Sequence, residues 1–591
     1  MEGRDRVALR TGLIGGVVLV YLAMVGMIEA FSDLNLIGAQ ITLGRVLLAL
    51  PPLIAAYLTA RPRIVAGQLV RPAPLAAATM GAVTGAAAGA VLGLWLLVVE
   101  AIGIERVRSI FVAVSPRLIE ILTFGLSVGA AVVIHIVGGA LLGVIGGIWR
   151  SLRYDLRRPL TIGIVVTLLL GLLQRIVPTI LDELNVERDW LYSRVTGGLS
   201  WLGAAITFAV ATGVSAFVID QRERRRARIG AAGVPERRAV KGIVLLAIAL
   251  GSIVLPLLAG SIISEILGSV GIFVLIGLGL NIVVGYAGML HLGFAAFFAI
   301  GAYGIALLTG ANLVTAFGLV APRFSADLNF YVALVIVIVV GAVVGALLAA
   351  PVLRLRGDYL AIVTLAFGFM VAILVSSNWL KPFTGGPQGL RDVTPAPIFG
   401  FSFRDPQHFY YLALACCAVA AYLSWRLAWS RTGRAWNAMR EDEQVAEAMG
   451  VGTSRYKLLA FAIGSAMGAV GGALFAVKVG TVQPGSFEIL VSITALAIVI
   501  LGGLGSVPGV IVGALVLIGL PGLLSEFEEY RLLIYGAVLV AIMILRPQGL
   551  IPNVRRMREL QEEERRQDAS QRLYVKGDDA DATEVAEESA T

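Results

Sequence analysis

The amino-acid sequence consists largely of separate apolar blocks of about 20 residues, the length of helix that crosses the hydrocarbon core of a bilayer. Hydrophobic residues make up 58% of the 591-residue chain and charged residues only 15%, whereas a soluble domain is about 45–50% apolar and about 25% charged. The blocks are too long and too continuously apolar for the alternating strands of a membrane barrel. Because backbone polar groups must pair internally inside lipid, the sequence predicts an all-α, polytopic integral membrane protein.

The blocks predict about 16 transmembrane helices in two groups, one of six and one of ten. The first group is expected near residues 12–30, 41–60, 75–99, 118–148, 160–181 and 198–219. The second is expected near residues 242–260, 265–286, 292–309, 331–350, 358–380, 409–425, 458–479, 488–503, 508–522 and 530–545.

Lysine and arginine are distributed unevenly between the loops that join these helices. If the N-terminus is cytoplasmic, the inside segments hold 34 of the 47 basic residues and the outside loops hold 9. The positive-inside rule therefore predicts that both termini are cytoplasmic, which requires an even number of helices. The net charge of +8 then reflects membrane topology rather than nucleic-acid binding.

Several classes of chemistry lack the residues they need. Cys416 and Cys417 are adjacent inside an apolar block, which fits neither a disulfide framework nor a CxxC metal site. His135, His291 and His408 are far apart, and no HExxH spacing is present, so no metal site is predicted. No lysine follows a glycine, which excludes the GK step of a P-loop. The chain is therefore expected to be neither an enzyme nor an ATPase of its own.

Composition divides the chain into four regions. Residues 1–219 form a six-helix membrane region of unknown role, and residues 220–241 form a basic cytoplasmic linker, expected to be a solvated loop near anionic headgroups. Residues 242–552 form the second membrane region, and residues 553–591 a charged, partly disordered cytoplasmic tail. For the first region, an accessory scaffold is favoured over a fused membrane module.

Polar residues and closely spaced glycines interrupt the apolar sequence over residues 279–303. A buried Asn or His inside a membrane normally needs a partner, and glycine lets helices approach or unwind. Ordinary glycine-mediated helix packing is the alternative, and for residues 384–386 an external turn is equally compatible. The candidate residues of a translocation pathway are Asn281, Gly285, Gly288, His291, Tyr303, Thr384, Gly385 and Gly386.

The largest polar insertion in the second group is the segment 431–457, which the charge count places in the cytoplasm. Its spacing predicts one amphipathic helix over about 435–449, followed by glycines as stop signals. Trp436, Met439, Val445 and Met449 are expected to contribute to its apolar face. A short helix with an apolar stripe among acidic residues suits docking into a groove of a partner protein.

Six motifs in the second group resemble, in order, the LivM-type permease of bacterial branched-chain amino acid ABC importers over about residues 270–550. The motifs are GLNIVVGYAG (279–288), RLRGDYLAIVTLAFG (354–368), TGGPQG (384–389), GRAW with EAMG (433–436 and 447–450), LGGLGSVPG (501–509) and RPQGL (546–550). Any one of them is a weak signal, whereas their common order is specific.

The resemblance implies a LivM-like permease domain over residues 242–552 that works with a LivH-like second permease, two ABC ATPase subunits and an extracytoplasmic substrate-binding protein. The chain would bind membrane lipids, no nucleic acid and no cofactor of its own, and ATP would be hydrolysed by the partner subunits. The cytoplasmic segment would be the loop that transmits ATPase closure, similar to the EAA loop of ABC permeases. Its coupling residues would be Arg434, Trp436, Glu441, Asp442, Glu443, Ala446, Glu447 and Gly450.

The resemblance implies alternating access for branched-chain or related amino acids across a bacterial or archaeal cytoplasmic membrane, with amides and urea still open as cargo. The alternative is an autonomous ion-coupled carrier or channel for small polar solutes such as urea or amides. That alternative predicts carboxylates deep inside the helices, and these are scarce in the second group.

Overall fold

A computed structural model shows a helical chain with short strands in its loops. It describes residues 2–552 except 62, 66–67, 71–72, 184–185, 232–233, 316–317, 353–357, 394–396, 399–400, 524–529, 531–532, 534–535, 537–538 and 541–547. The predicted tail 553–591 and most of the helix predicted over 530–545 lie outside these residues. The chain divides into two compact units, Met1–Ile248 and Ala249–Thr591.

The first unit contains short strands and ten helices among its described residues. Its helices are α1 (Glu2–Met24), α2 (Met27–Ala30), α3 (Leu43–Thr59), α4 (Pro74–Ile102), α5 (Ile104–Ile110), α6 (Pro116–Thr123), α7 (Val128–Ser151), α8 (Tyr154–Leu172), α9 (Ile176–Glu183) and α10 (Trp201–Ala231). Its strands form two hairpins, β1 (Asn35–Ile37) with β2 (Ile41–Thr42) and β3 (Arg63–Val65) with β4 (Gln68–Val70).

Helices α4 and α7 pack antiparallel through matching stripes of glycine at every fourth residue. A Cβ atom on any of these glycines would collide with the backbone of the facing helix, so only glycine permits this approach. Close backbone contact of this kind is a main source of helix association in membranes. The stripes are Gly81, Gly85 and Gly89 on α4, and Gly139, Gly143 and Gly147 on α7.

The second unit is built around two long membrane helices that are mostly buried, over Gly260–Tyr286 and Thr453–Val479. Helix α11 (Val234–Leu280) begins before this unit and is broken at Gly260, whose φ is 72°. The remaining helices are α12 (Phe294–Leu308), α13 (Phe330–Val352), α14 (Asp358–Ser376), α15 (Lys381–Thr384), α16 (Pro406–Trp429), α17 (Arg431–Glu441), α18 (Glu443–Ala448), α19 (Thr453–Val479), α20 (Ile489–Gly502), α21 (Val507–Ala514) and α22 (Leu520–Leu523). π-Helical turns follow α11 over Asn281–Tyr286 and α21 over Leu515–Gly519.

Three loops of the second unit meet in one antiparallel sheet. Its strands are β5 (Asn312–Thr315), β6 (Gly318–Val320), β7 (Leu390–Arg391) and β10 (Thr481–Val482), in the order β10-β7-β5-β6. Strands β8 (Pro397–Ile398) and β9 (Phe401–Ser402) form a separate hairpin. The charge count places all of these loops outside the cell, so the sheet joins loops that belong to one predicted face.

The prediction of an all-α, polytopic membrane protein is confirmed. Ten described helices are long and apolar enough to cross a membrane, or eleven if α8 and α9, bent by 76°, are one broken span. Three shorter apolar helices are Leu43–Thr59, Phe294–Leu308 and Val507–Leu523. The total of 16 and the cytoplasmic position of the termini stay predictions.

Several predicted element boundaries were wrong. The helix predicted over 118–148 is two helices, because Phe124 and Gly125 have φ of 55° and 70°, left-handed values that end α6. The basic segment 220–241 is not the expected loop, because α10 and α11 cover its described residues up to Ala231 and from Val234. Arg and Glu are good helix formers, so a charged segment between two membrane helices continues them readily.

Candidate functional site

The π-helical turn Asn281–Tyr286 ends the membrane helix α11, and all six of its residues are buried. The Asn281 Oδ1 accepts the backbone N–H of Gly505 at 2.8 Å. A Cβ on Gly285 would collide with the Asn281 amide and with the Gly505 nitrogen. The predicted pathway residues Asn281 and Gly285 therefore form a tight crossing with the loop between α20 and α21.

Arg440, on α17 of the cytoplasmic segment, reaches this turn directly. Its Nη1 donates to the carbonyl oxygen of Gly285 at 2.6 Å. Its aliphatic stem lies against Gly288, where a Cβ would come within 2.6 Å of the Arg440 Cγ and where φ is +73°. Hydrogen bonds from a charged donor are among the stronger ones in proteins. Arg440 therefore joins the polar segment to the end of a membrane helix.

A second contact runs beside the first. The rings of Trp436 and Tyr286 are stacked, with centroids 6.5 Å apart and an interplanar angle of 5°. Trp436 is fully buried, and its indole N–H donates to the carbonyl of Tyr456 at 2.8 Å. Trp436 is thus an internal anchor of the segment, and it is not available to a docking partner.

The single amphipathic helix predicted over 435–449 was wrong, since the structure has two helices, α17 and α18. Asp442 lies between them in an extended conformation with φ of −154°. Its carboxylate accepts the N–H groups of Gln444 and Val445 at 2.8 and 3.1 Å, so it is the N-cap of α18. The N-cap at Asp442 starts a new helix, although the apolar residues keep helical spacing across the break.

The break divides the predicted apolar face between two directions. Met439 is buried with Trp436, whereas Val445 and Met449 are 59% and 81% exposed and lie four residues apart. Of the predicted coupling residues, Ala446 is also buried, and Gly450 ends the segment with φ of +86°. The exposed members of the set are Arg434, Glu441, Asp442, Glu447 and Gly450.

Glu443 holds an internal ion pair. Its Oε1 lies 2.6 Å from Nζ of Lys457, and the two side chains are 24% and 7% exposed. Lys457 belongs to α19, so the pair fixes α18 to the start of a membrane helix. Glu443 is therefore bound within the chain, and a substitution there disturbs this contact before it disturbs any partner.

His291 lies in an aromatic environment. Its side chain is 1% exposed, and neither ring nitrogen has a hydrogen-bond partner among the described residues. The ring centroids of Phe294, Phe297 and Phe461 lie 5.6, 5.6 and 5.1 Å from that of His291. Tyr303 is buried further along α12, with its ring 5.6 Å from that of Phe487.

Thr384 lies in a turn close to the sheet of the second unit. Its hydroxyl donates to the backbone carbonyls of Val375 and Leu380 at 2.8 and 3.0 Å. Gly385 and Gly386 follow with φ of +77° and +58°, which favour glycine. The turn has its own hydrogen bonds, and its contacts differ from those of Asn281 and Gly285.

A cleft of about 300 Å³ lies between α12, α14 and α20. Its walls are mainly apolar and include Ala295, Gly368 and Phe369, while Glu488 and Ser492 supply carboxylate and hydroxyl groups. Ser492 already accepts the N–H of Ala295 at 2.8 Å. The cleft offers a mainly apolar lining with one carboxylate.

Sequence reasoning did not find Arg440, Lys457, Ser492 or Glu488 as functional residues. Arg440 and Lys457 stand in a segment already recognised as polar. The partner of Arg440 is 155 positions away in the sequence, whereas the partner of Lys457, Glu443, lies in the same segment. Among the described residues, no group of three or more His, Cys, Asp or Glu is placed to hold a metal ion.

The fold and this site together define a multi-pass membrane transport subunit. A family model described as "Branched-chain amino acid transport system / permease component" matches residues 262–543. The LivM permease protein of the high-affinity branched-chain amino acid transport system of Escherichia coli is 40% identical over 307 residues, which are 48% of this chain and 68% of that protein. No solved structure matches the chain.

More distant relatives agree with this result. The probable LivM protein of Methanocaldococcus jannaschii is 26% identical over 325 residues, covering 49% of this chain and 93% of that protein. The LivH permease protein of Escherichia coli is 28% identical over 198 residues, covering 31% of this chain and 63% of that protein. The chain belongs to the family of permease components of branched-chain amino acid transport systems. It is the permease subunit of an ABC importer, as the motifs predicted.

Proposed function

We propose that this permease carries branched-chain amino acids across a bacterial or archaeal cytoplasmic membrane, and that separate ATPase subunits drive it by hydrolysing ATP. The names of the relatives support the cargo, since LivM and LivH proteins are described as parts of branched-chain amino acid transport systems. The observation that carries the mechanism is the hydrogen bond from Arg440 to Gly285, which connects the cytoplasmic segment to a buried turn. The chain binds no cofactor of its own.

The ATPase would dock on the outward face of the short helix pair. Val445 and Met449 form a small apolar patch, and Glu441 and Glu447 provide exposed negative charge beside it. Helix-in-groove recognition uses apolar anchors with this spacing. The buried Trp436 and the Lys457–Glu443 pair keep the helices together while they move.

Movement of α17 would reach the membrane along the Arg440 contact. Arg440 and Trp436 hold Gly285 and Tyr286, and Asn281 in the same turn holds Gly505. A displacement of the loop therefore acts on two membrane helices at once. Alternating access requires such a two-state element, whose equilibrium the partner shifts by binding one state better.

The cleft between α12, α14 and α20 is the proposed passage for the aliphatic side chain. Its volume of about 300 Å³ and its apolar walls fit a branched-chain residue. Glu488 would attract the ammonium group at one edge of the cleft. The Leu292 N–H, which donates to the Thr364 hydroxyl at 3.1 Å, would bind the carboxylate once that bond opens as the helices separate. A second, LivH-like permease would complete the passage, and an extracytoplasmic binding protein would deliver the cargo.

Co-purification with the ATPase subunits of the same transport system tests the docking face. Val445→Asp should abolish ATPase association, because it puts a charge into the apolar patch. Val195→Asp is the matched control, since Val195 is 95% exposed in a loop of the first unit. The docking proposal fails if Val445→Asp retains the ATPases. It also fails if the purified chain alone moves solute and binds no ATPase, a result that would favour an autonomous carrier.

A further inference from the structure

The first unit, which the family match does not include, contains a cavity of about 570 Å³. One wall comes from α2, the chain after it and the first turns of α3, and the other from α6 and the residues after it. The membrane spans α1 and α4 end near these elements, and α7 begins just after them. The cavity therefore lies at the interfacial end of three spans, and its size is typical of small-ligand sites.

Specific bonds hold the two walls in position. Nη2 of Arg117 on α6 donates to both oxygens of the Asp33 carboxylate, at 2.8 and 2.7 Å. Ser115, the N-cap of α6, donates to Glu29 of α2 at 2.5 Å. Gly44 allows α3 to approach α2, because a Cβ there would lie 2.6 Å from the carbonyl oxygen of Ile28. These contacts hold the two walls of the cavity in fixed positions.

Two oppositely charged side chains of the cavity lining, Arg45 and Glu120, take no part in these contacts between the walls. Nη1 of Arg45 donates a hydrogen bond to the Gln40 carbonyl at 2.6 Å. A guanidinium has five N–H donors in all. The Glu120 carboxylate makes no hydrogen bond or ion pair with a described residue. Arg45 can therefore bind an anionic oxygen, and Glu120 can bind an ammonium group, within the same cavity.

The rest of the lining is apolar. Ile28, Leu48 and Ile121 contribute aliphatic surface, and Phe124 adds an aromatic ring that is 48% exposed. Phe124 is the left-handed C-cap residue of α6, with φ of 55°. A ligand here would have charged groups of both signs and an apolar part.

We propose that this cavity of the first unit binds a zwitterion that has an anionic oxygen group, a primary ammonium group and an apolar portion. A free aliphatic amino acid and a phosphatidylethanolamine headgroup share this chemistry. The anion lies on Arg45, the ammonium on Glu120, and the apolar portion against Phe124. This site is independent of the transport proposed for the second unit.

The test uses the full chain in nanodiscs, without ATPases or binding protein. One arm measures equilibrium binding of radiolabelled L-leucine in phosphatidylcholine nanodiscs. The other measures, by native mass spectrometry, the phosphatidylethanolamine retained after extraction from mixed nanodiscs. Arg45→Gln and Glu120→Gln remove one charge each with little change in shape. Arg108→Gln and Glu105→Gln on the neighbouring α5 are matched controls that leave the cavity lining unchanged.

In one of the two arms, each cavity variant should weaken binding about tenfold or more, because a charge-assisted bond is lost. Both control variants should bind as the wild type does, and all variants should elute from gel filtration at the wild-type position. Loss in the leucine arm identifies a free amino acid, and loss in the lipid arm identifies a headgroup. The proposal is overturned if neither arm shows a loss, or if the controls lose binding equally.

Discussion

Replacing Arg440 by Met separates the attachment of the ATPase from the transmission of its movement. The methionine keeps an unbranched stem to cover Gly288, but it removes the donor that reaches the carbonyl of Gly285 at 2.6 Å. The docking face formed by Val445 and Met449 lies on the other helix and stays unchanged. We expect the variant to bind its ATPases normally while importing poorly.

The magnitude follows from the bond that is lost. A hydrogen bond from a charged group contributes about 1.5–3 kcal/mol net, and each 1.4 kcal/mol is about tenfold in an equilibrium constant. If that bond transmits the movement of α17 to the membrane turn, the equilibrium constant that couples the two movements should fall about tenfold to 100-fold. Amino acid imported per ATP should fall accordingly, because ATP hydrolysis would continue without moving Gly285.

The assay measures leucine import and ATP hydrolysis together in proteoliposomes that contain the complete importer. Arg431→Met is the control, since Arg431 is an exposed residue in the first turn of the same helix. A second check is Gly288→Ala, which forces a Cβ against the Arg440 stem. The two changes should be non-additive in the double variant, because they act on one contact. Wild-type import per ATP in Arg440→Met would refute the reasoning.

Three further predictions concern stability and pathway. Lys457→Met should lower the free energy of unfolding by about 3 kcal/mol, since it removes the ammonium group that lies 2.6 Å from the partly buried Glu443 carboxylate, and adding Glu443→Gln should restore much of it in thermal unfolding. Gly85→Leu should prevent α4 from packing on α7 and reduce the yield of folded protein in gel filtration, whereas Gly138→Leu, which has no atom within 4 Å of its Cβ position, should be tolerated. Thr384→Val should lower stability by about 1 kcal/mol and leave leucine import unchanged, because its hydroxyl bonds backbone groups of Val375, Leu380 and Gly386. A loss of import at equal folded yield would place Thr384 in the passage.

The membrane character, the helical fold class and the transport class could be predicted from the sequence. Each depends on local information, either an apolar block long enough to span a bilayer or a motif read in order along the chain. The outer boundaries of the cytoplasmic segment were also visible, because polarity changes abruptly there. Its internal break at Asp442 was not, since an N-cap competes with an apolar period that continues across it.

The sequence by itself determined that apolar blocks enter the membrane, because transfer from water to lipid depends on the composition of each block and hardly on its neighbours. Only the tertiary structure decided which groups meet inside. Arg440 and Gly285 are 155 positions apart, and Asn281 and Gly505 are 224 apart. Periodicity shows which side of a helix is polar or small, but not which helix faces it. Lipid is as apolar as the helix surfaces, so partners are selected by close backbone packing and by hydrogen bonds between specific atoms, and these exist only after the helices have come together.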